Sequence, residues 1–464
     1  MVPLLLVHKV VGTPGSRALA SRAERRGPGY AQRVDGAGSP GPARDDLARG
    51  HADSVVGAGG AAVVAGLPAT SIPATSIPAT SSSHEGAGRT TWGWWGSTTI
   101  VALGAYAMGL VALWQAAYIT HATVAATADK WDGAWYYEIS RLGYVSALPR
   151  PGGAYAALRP AFFPGLPLVE HVTHAVVGGP PARSILLLGA IALVASCLLF
   201  RALVARMFDE AAAWRATILF AFFPGGYVFI YGYSELLEIP LALLVLYAIR
   251  RRWYVLAGVA TLAATGTRLL GVALVVALMI AAVREVLAGP AGSAQERRHV
   301  AAALASPLVG AAGLVGYMVF LKERTGRFLT FVTAERVGWR NTVDVAAPYH
   351  ALLAFFAHPL GPPWTTVDGI GVIVVGVSIV YLAVGGRRWL RLEELAYAVL
   401  VLLAWLCTSN TGAWFRFVLA AFPLIALVGA RLDGRYVPAL ACLGAALLGI
   451  LVVLFGTPAF TFAP

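Results

Sequence analysis

The sequence predicts an all-α polytopic transmembrane helical bundle, and three observations carry that prediction. Of 464 residues, 58% are hydrophobic and only 12% are charged, where soluble domains carry about 25% charged residues. The mean hydropathy is +0.70. Apolar runs repeatedly reach the roughly 20 residues that cross about 30 Å of hydrocarbon. Barrel strands would instead be short and alternating.

Residues 1–92 are rich in Gly, Ala, Pro, Ser and Arg and contain "LPATSIPATSIPATS". Such composition cannot bury a core, so a disordered low-complexity tail is expected. The opening "MVPLLLVHKVVG" is too short to span and weakly resembles a signal peptide. An over-extended start codon or a cytoplasmic tail explains it equally well. Residues 93–464 are expected to form the membrane domain.

About eleven spans are expected there: 98–120, 184–204, 212–230, 235–250, 253–266, 268–287, 300–321, 367–385, 393–409, 414–431 and 436–456. Lys and Arg in the short loops set orientation. "RRR" at 250–252, "RRWLR" at 387–391, Arg297–Arg298 and Arg431 with Arg435 share one side if the N-terminus is cytoplasmic. Segments 121–183, 230–235, 322–366 and 409–416 then face outward. Segment 161–178 holds Glu170, His171 and His174, and is read as an interfacial helix in a large first outer loop.

The net charge of +12 does not indicate nucleic acid, because the Arg clusters lie in the tail and between spans. Cys197, Cys407 and Cys442 have no CxxC spacing and read as small apolar residues of packed helices. There is no Walker A sequence, Rossmann fingerprint or GxSxG.

This topology gathers the unusual polar groups at one face. The segment "DKWDGAWYYEISRLGY" brings three carboxylates, two Trp and three Tyr into 16 positions. The second outer segment supplies Tyr233, Ser234 and Glu235; a helix break supplies Arg268. Loop 322–366 supplies "ERTGRFLTFVTAERVGW", and the last segment supplies Asn410, Trp414 and Arg416. An ionisable group at mid-membrane costs roughly 2.5–3.5 kcal/mol, which makes functional use the leading expectation. Structural alternatives stand beside it. Asp132 suits an N-cap before Gly133, and Glu235 suits the positive end of a helix. Arg268 and Arg416 could snorkel. Trp131, Trp135, Tyr136 and Tyr137 read first as an interfacial belt with a second use in stacking on sugars. Glu138 reads as a solvated loop residue, since six residues place it about 240° around a helix from Asp132.

"WDGAWYYEISRLGY" followed by "AFFPGLPL", then "FPGGYVFIYGYSELLEIPLALLVLYAIRRRW" and "GTRLLG", resembles the PIG-V-type mannosyltransferases of the GT-C superfamily. "RTGRFLTFVTAERVGW" and "WFRFVLAAFPL" sit where that family has an aromatic-rich luminal loop and a late Arg-aromatic motif. The likeness covers residues 98 to 455. "FRF" departs from the family's more usual Arg-Tyr, and Glu238 stands where an apolar or aromatic residue is usual.

The resemblance implies sugar transfer, with inversion, from a polyprenyl- or dolichyl-phosphate donor to a lipid-linked glycan, glycolipid or protein acceptor. It places Asp132 as general base, and Arg268 and Arg416 near the donor phosphate. Tyr233, Ser234, Glu235, Trp131 and Trp135 are the further substrate-binding candidates. The chemistry agrees: an attacking hydroxyl needs a carboxylate to take its proton, and a leaving phosphate needs cationic stabilisation. No residue set predicts a resident metal, although a divalent cation assisting the phosphate is compatible with the reaction. Expected partners are the lipid-phosphate sugar, the acceptor and membrane lipids, with no nucleic acid. The expected location is a bacterial plasma membrane, or the endoplasmic reticulum if the source is eukaryotic, with the site on the extracytoplasmic or luminal face. The rivals are a transporter or flippase of lipid-linked sugars, which predicts polar residues at mid-bilayer and related halves with broken helices, and a GT-C enzyme for another sugar such as arabinose.

Overall fold

A computed structural model describes residues 91–289, 292–359 and 361–457, with backbone alone for Thr91, Trp92, Pro363 and Trp364. The tail expected over 1–92 therefore lies outside the described residues, apart from Thr91 and Trp92, which are already helical. Regular structure among the described residues is helical, with one isolated bridge between Val343 and Thr408.

Helix α1, Thr91–Ile119, leads into the first large loop. That loop carries α2 (Val124–Ala128), α3 (Trp131–Leu142), a 3-10 turn (Tyr155–Ala161) and α4 (Gly165–Val177). Then come α5 (Pro181–Met207), α6 (Glu210–Ala221), α7 (Glu235–Arg250), α8 (Tyr254–Thr265) and α9 (Val272–Leu287). Helix α10, Ala294–Thr325, is the longest at 32 residues and opens with a Ser293–Glu296 capping box. The second loop holds α11 (Thr330–Trp339) and α12 (Ala347–Ala357). Helices α13 (Pro363–Gly385), α14 (Leu392–Leu406), α15 (Trp414–Ala420), α16 (Pro423–Arg431) and α17 (Val437–Gly456) complete the bundle.

Six of these helices are long and apolar enough to cross a membrane. A seventh span arises if α15 and α16, bent by 74° at their junction, count as one. The expectation of about eleven treated every apolar run as a full span. Residues 212–230 show why the structure differs: the helix stops at Ala221, and Pro224-Gly225-Gly226 turns into a 3-10 segment ending at Phe229. Pro removes a backbone donor and Gly weakens helix continuation, so the chain enters the bundle without crossing it there. Helices α6, α7, α8 and α14 have 12 to 16 residues and are short of a full span.

The core is unusually aromatic around this irregular segment: Tyr227, Tyr231, Tyr233, Trp405, Tyr397, Phe200 and Phe422 are all buried. Outer helices expose Leu304 and Leu308 of α10, and Leu443 and Ile450 of α17, as hydrocarbon surroundings favour. Helix α4 exposes Leu168, Val172 and Val176 at spacing four while burying Leu166 and Glu170, the one-sided pattern of an interfacial helix.

Helix α7 joins two chemically different ends. Its 16 residues span about 24 Å at 1.5 Å each. At the Arg250 end, Arg250 pairs with Glu394, Arg284 with Glu393, and Arg252 with Glu285. The Tyr254 hydroxyl donates to Glu285 at 2.6 Å. At the Glu235 end lies the candidate site.

Candidate active site

Glycines set the frame. A Cβ on Gly133 would come within 2.5 Å of the Tyr231 carbonyl oxygen, so only glycine lets α3 press onto the segment before α7. Gly165 meets Thr267 in the same way, and its amide donates to the Gly266 carbonyl at 2.9 Å. Gly225 lies against the Phe415 carbonyl. These contacts join "WDGAW", "YGYSE", "FFPG", "GTR" and "WFRF", which are distant in sequence, into one site.

Helix α3 begins at Trp131 with Lys130 at its N-cap position, so the alternative reading of Asp132 as an N-cap before Gly133 does not hold. Asp132 sits in the first turn, where the helix dipole favours a carboxylate, and its side chain turns to Arg416. The Asp132 Oδ2 to Arg416 Nη1 distance is 3.6 Å, and 27% of the Asp132 side chain stays accessible. Just before it, Trp131 has φ = 57°, a left-handed conformation that costs a bulky residue energy. Two bonds to α17 hold the strain: Trp131 Nε1 donates to Phe455 O at 2.9 Å and Lys130 Nζ to Gly456 O at 2.5 Å.

Arg416 also approaches Glu235, with Nε to Oε1 at 3.5 Å. Glu235 is ion-paired to Arg268 on its other side. Arg268 Nη1 donates to Ser234 Oγ at 3.0 Å, and its Nε lies 3.8 Å from Glu238. The result is a chain of alternating charge, Asp132–Arg416–Glu235–Arg268–Glu238. Aromatic faces lie beneath it: Arg416 stacks over Tyr233 at 5.1 Å and Arg268 over Phe417 at 5.1 Å. Among the described residues, Arg416 Nε, the Tyr233 hydroxyl and both Glu238 oxygens are buried without a hydrogen-bond partner. Burial pushes the Asp132 carboxyl above the usual Asp range, while the Arg416 guanidinium works against that rise.

The structure thus brings together Asp132, Arg268, Arg416, Tyr233, Ser234 and Glu235. It separates the two tryptophans. Trp131 points to α17, whereas Trp135 is buried and stacked on Tyr155 at 4.1 Å and Phe162 at 5.1 Å. Trp135 and Tyr136 are only 7% and 4% exposed, so the interfacial belt expected of them is absent; they are core. Glu138 is not merely solvated either. It pairs at 2.5 Å with Arg159, which is 5% exposed and also donates to Gly143 O at 2.8 Å.

Two carboxylates escaped the sequence reading as site members. Glu238 lies three residues after Glu235, a spacing that puts both on one helix face and could have signalled it. Glu335 of α11 accepts from Asn341 Nδ2 at 3.4 Å and lies within electrostatic reach of Asp132, Arg268 and Arg416. Its position depends on how loop 322–366 folds back, which no local pattern reveals. No group of three or more His, Cys, Asp or Glu among the described residues is placed to hold a metal ion.

An apolar cleft of about 910 Å³ lies among α3, α4, α7, α8 and α10, and Asp132, Glu235, Arg268 and Arg416 are not among its lining residues. Leu237 and Leu241 of α7, Thr267, Gly313 and Gly316 of α10, and Phe320 are among its lining residues. Thr267, at its wall, adjoins Arg268 in sequence.

No protein-family model matches the chain, and no curated protein matches it. Among solved structures, it is similar to ArnT from Cupriavidus metallidurans bound to undecaprenyl phosphate, at 18% identity and a TM-score of 0.47. That match covers 76% of this chain and 62% of the other. It is also similar to the archaeal oligosaccharyltransferase AglB from Archaeoglobus fulgidus in complex with an inhibitory peptide and a dolichol-phosphate. There the identity is 14%, the TM-score 0.45, and coverage 79% of this chain and 56% of that one. The chain therefore spans less than two thirds of the length of either.

Proposed function

We propose that the protein is an integral-membrane glycosyltransferase that moves a sugar, mannose as the first candidate, from a lipid-phosphate donor to an acceptor hydroxyl on the extracytoplasmic face. The observation that carries this reading is Asp132 paired to Arg416, and Arg416 linked through Glu235 to Arg268. A carboxylate beside two guanidiniums suits a reaction that removes one proton and releases one phosphate.

In this reading the lipid chain lies in the cleft between α7 and α10, and the phosphate meets Arg268 and Arg416. The acceptor oxygen bonds to the anomeric carbon and its proton passes to Asp132. The anomeric carbon–oxygen bond to phosphate breaks, the electron pair leaves on the phosphate, and configuration inverts. Glu235 keeps both guanidiniums in place until the phosphate competes for them. Tyr233 and Ser234 add hydroxyl groups beside the same guanidiniums.

A second reading has one observation in its favour. The 74° bend between α15 and α16 is the kind of broken helix that transporters use. Purified protein in nanodiscs, given polyprenyl-phosphate mannose and octyl glycoside acceptors, separates the two. Glycosyl transfer by wild type and its loss in Asp132→Asn support the enzyme. Full transfer by Asp132→Asn removes Asp132 as base. Absence of transfer, with movement of a lipid-linked sugar across vesicles, replaces the enzyme by a transporter.

A further inference from the structure

The arginine-rich end of α7 opens into a groove of about 1020 Å³ between α9, the turn joining α7 to α8, and the start of α14. One wall is apolar: Val276, Met279, Ile280, Val283 and Leu287 line it from α9. Their spacings of three and four put them on one helix face. Met279, Val283 and Leu287 are exposed, and Leu269–Leu287 is long and apolar enough to cross a membrane. From Val276 to Leu287 the stripe runs about 16 Å at 1.5 Å per residue. That is about half of the roughly 30 Å hydrocarbon core, the depth of one leaflet.

At the Leu287 end the groove changes character. Arg250, Arg252, Arg284 and Arg391 line it, together with Glu285 and Glu393. The carboxylates lie inward and the guanidiniums outward: side-chain exposure is 50% for Arg252 and 39% for Arg284, against 7% for Glu285 and 2% for Glu393. Both carboxylates are already held, Glu285 by Arg252 and the Tyr254 hydroxyl, Glu393 by Arg284. Arg391 is exposed, and among the described residues its side chain has no ion pair. Four guanidiniums against two carboxylates leave a surplus of two positive charges, and Glu394, which pairs with Arg250, brings it to one. A phosphodiester carries one negative charge and accepts several N–H donors at once, which planar guanidiniums supply.

We propose that this groove binds an anionic phospholipid, with its phosphodiester among Arg252, Arg284 and Arg391 and one acyl chain along the α9 stripe. Two features select a lipid over a soluble phosphate. The apolar wall continues away from the guanidiniums for a leaflet's depth, and a soluble phosphate would leave it bare. The guanidiniums lie at the end of a membrane-length helix, the level at which basic side chains attract anionic headgroups. In the orientation proposed for transfer this is the inner leaflet. The groove is separate from the candidate active site, since Glu235 and Arg250 are the two ends of α7, about 24 Å apart. The inference therefore does not depend on the glycosyl-transfer reading. A lipid seated here would tie α7, α9 and α14 together at their basic ends.

Full-length protein in detergent is titrated with dioleoylphosphatidylglycerol, dioleoylphosphatidylcholine and glycerol phosphate, with bound ligand counted by native mass spectrometry beside a thermal-unfolding scan. Phosphatidylglycerol should bind and raise the melting temperature, and phosphatidylcholine, which is neutral overall, should bind several-fold more weakly. Arg391→Gln should weaken phosphatidylglycerol about fivefold, the order of one basic side chain at an anionic lipid surface. Without lipid this variant should melt as wild type does, because the side chain it removes holds no ion pair. Val283→Trp, which fills the apolar stripe, should weaken binding without removing a charge. Arg435→Gln, an exposed arginine outside the groove, should leave binding unchanged. Equal affinity for the two phospholipids, or wild-type affinity in both Arg391→Gln and Val283→Trp, overturns the proposal. Glycerol phosphate that binds as tightly as the lipid, and is lost in Arg391→Gln, overturns the lipid in favour of a soluble phosphate.

Discussion

Arg416 reaches two carboxylates at once, Asp132 at 3.6 Å and Glu235 at 3.5 Å, and its plane lies over Tyr233. Only a planar guanidinium serves all three, because a lysine ammonium is a point charge. Arg416→Lys should therefore lower kcat by about 10²-fold or more with the protein still folded, as read by transfer rate beside a thermal-unfolding scan. An unchanged kcat would remove Arg416 from the phosphate's surroundings. A second residue gives a test of stability independent of transfer. Glu170 on α4 is fully buried with both oxygens unpartnered. Burial, with Asp129 adding repulsion, raises its carboxyl to about 8 from the ordinary 4.5. The folded state thus binds a proton that the unfolded state releases at lower pH. Stability from this group is full below about 4.5 and is lost as pH climbs towards about 8. Glu170→Gln, which is always neutral, should match wild type near pH 5 and exceed it near pH 9 by a few kcal/mol at most. Melting temperatures at the two pH values check this; a gain equal at both would refute it.

Helices and loops here are joined by close backbone approach, and that is where sequence reading reached its limit. The strings "WDGAW", "YGYSE", "GTR" and "WFRF" were legible as unusual, and Asp132, Glu235, Arg268 and Arg416 could be named from them. Their adjacency was not legible, since periodicity reports one face of one helix and says nothing about which backbone lies against it. The glycines carry that information, as Gly133 shows: its would-be Cβ falls 2.5 Å from the Tyr231 carbonyl, an atom that cannot rotate away. Gly133→Ala should cost about 1–3 kcal/mol, the usual range for overpacking, and should also displace Asp132, its sequence neighbour, from Arg416. Gly104→Ala is the control, because nothing lies within 4 Å of the added carbon, and helix propensity there favours Ala. We expect a lower melting temperature and slower transfer for Gly133→Ala, and neither for Gly104→Ala. Equal behaviour of the two would mean that α3 can shift without consequence. The misplacement of Trp135 and Tyr136 has the same origin. An aromatic-rich segment after a span looks interfacial from composition, yet contacts with Phe162 and Trp339 from distant loops bury it.

At the scale of the whole molecule, the charge pattern that suggested orientation corresponds to two separate networks at the ends of α7. The bundle was legible in composition and hydropathy. The span count was not, because a window of apolar residues cannot tell a full-length crossing helix from a short one such as α8, which has 12 residues. The basic end also holds more than loop charges: Arg250 is paired to Glu394, whose second oxygen accepts from Arg250 Nη2 at 2.8 Å. Side-chain exposures of 10% and 2% put this pair out of solvent. Glu394 Oε2 also accepts from the Arg391 backbone at 2.9 Å, which fixes the start of α14. Breaking such a pair leaves a charge without its partner and costs about 3–5 kcal/mol. Replacing both members by apolar residues removes the desolvation cost as well. Glu394→Gln should therefore lower the melting temperature by several degrees, whereas the pair Glu394→Leu with Arg250→Met should recover part of the loss, less what the Arg391 contact contributed. Neither change should alter donor or acceptor KM, because the site is about 24 Å away along α7. A KM that moves with the Arg250–Glu394 pair would mean that the two ends are coupled through α7, and that the bundle does not act as a rigid support for Asp132 and its partners.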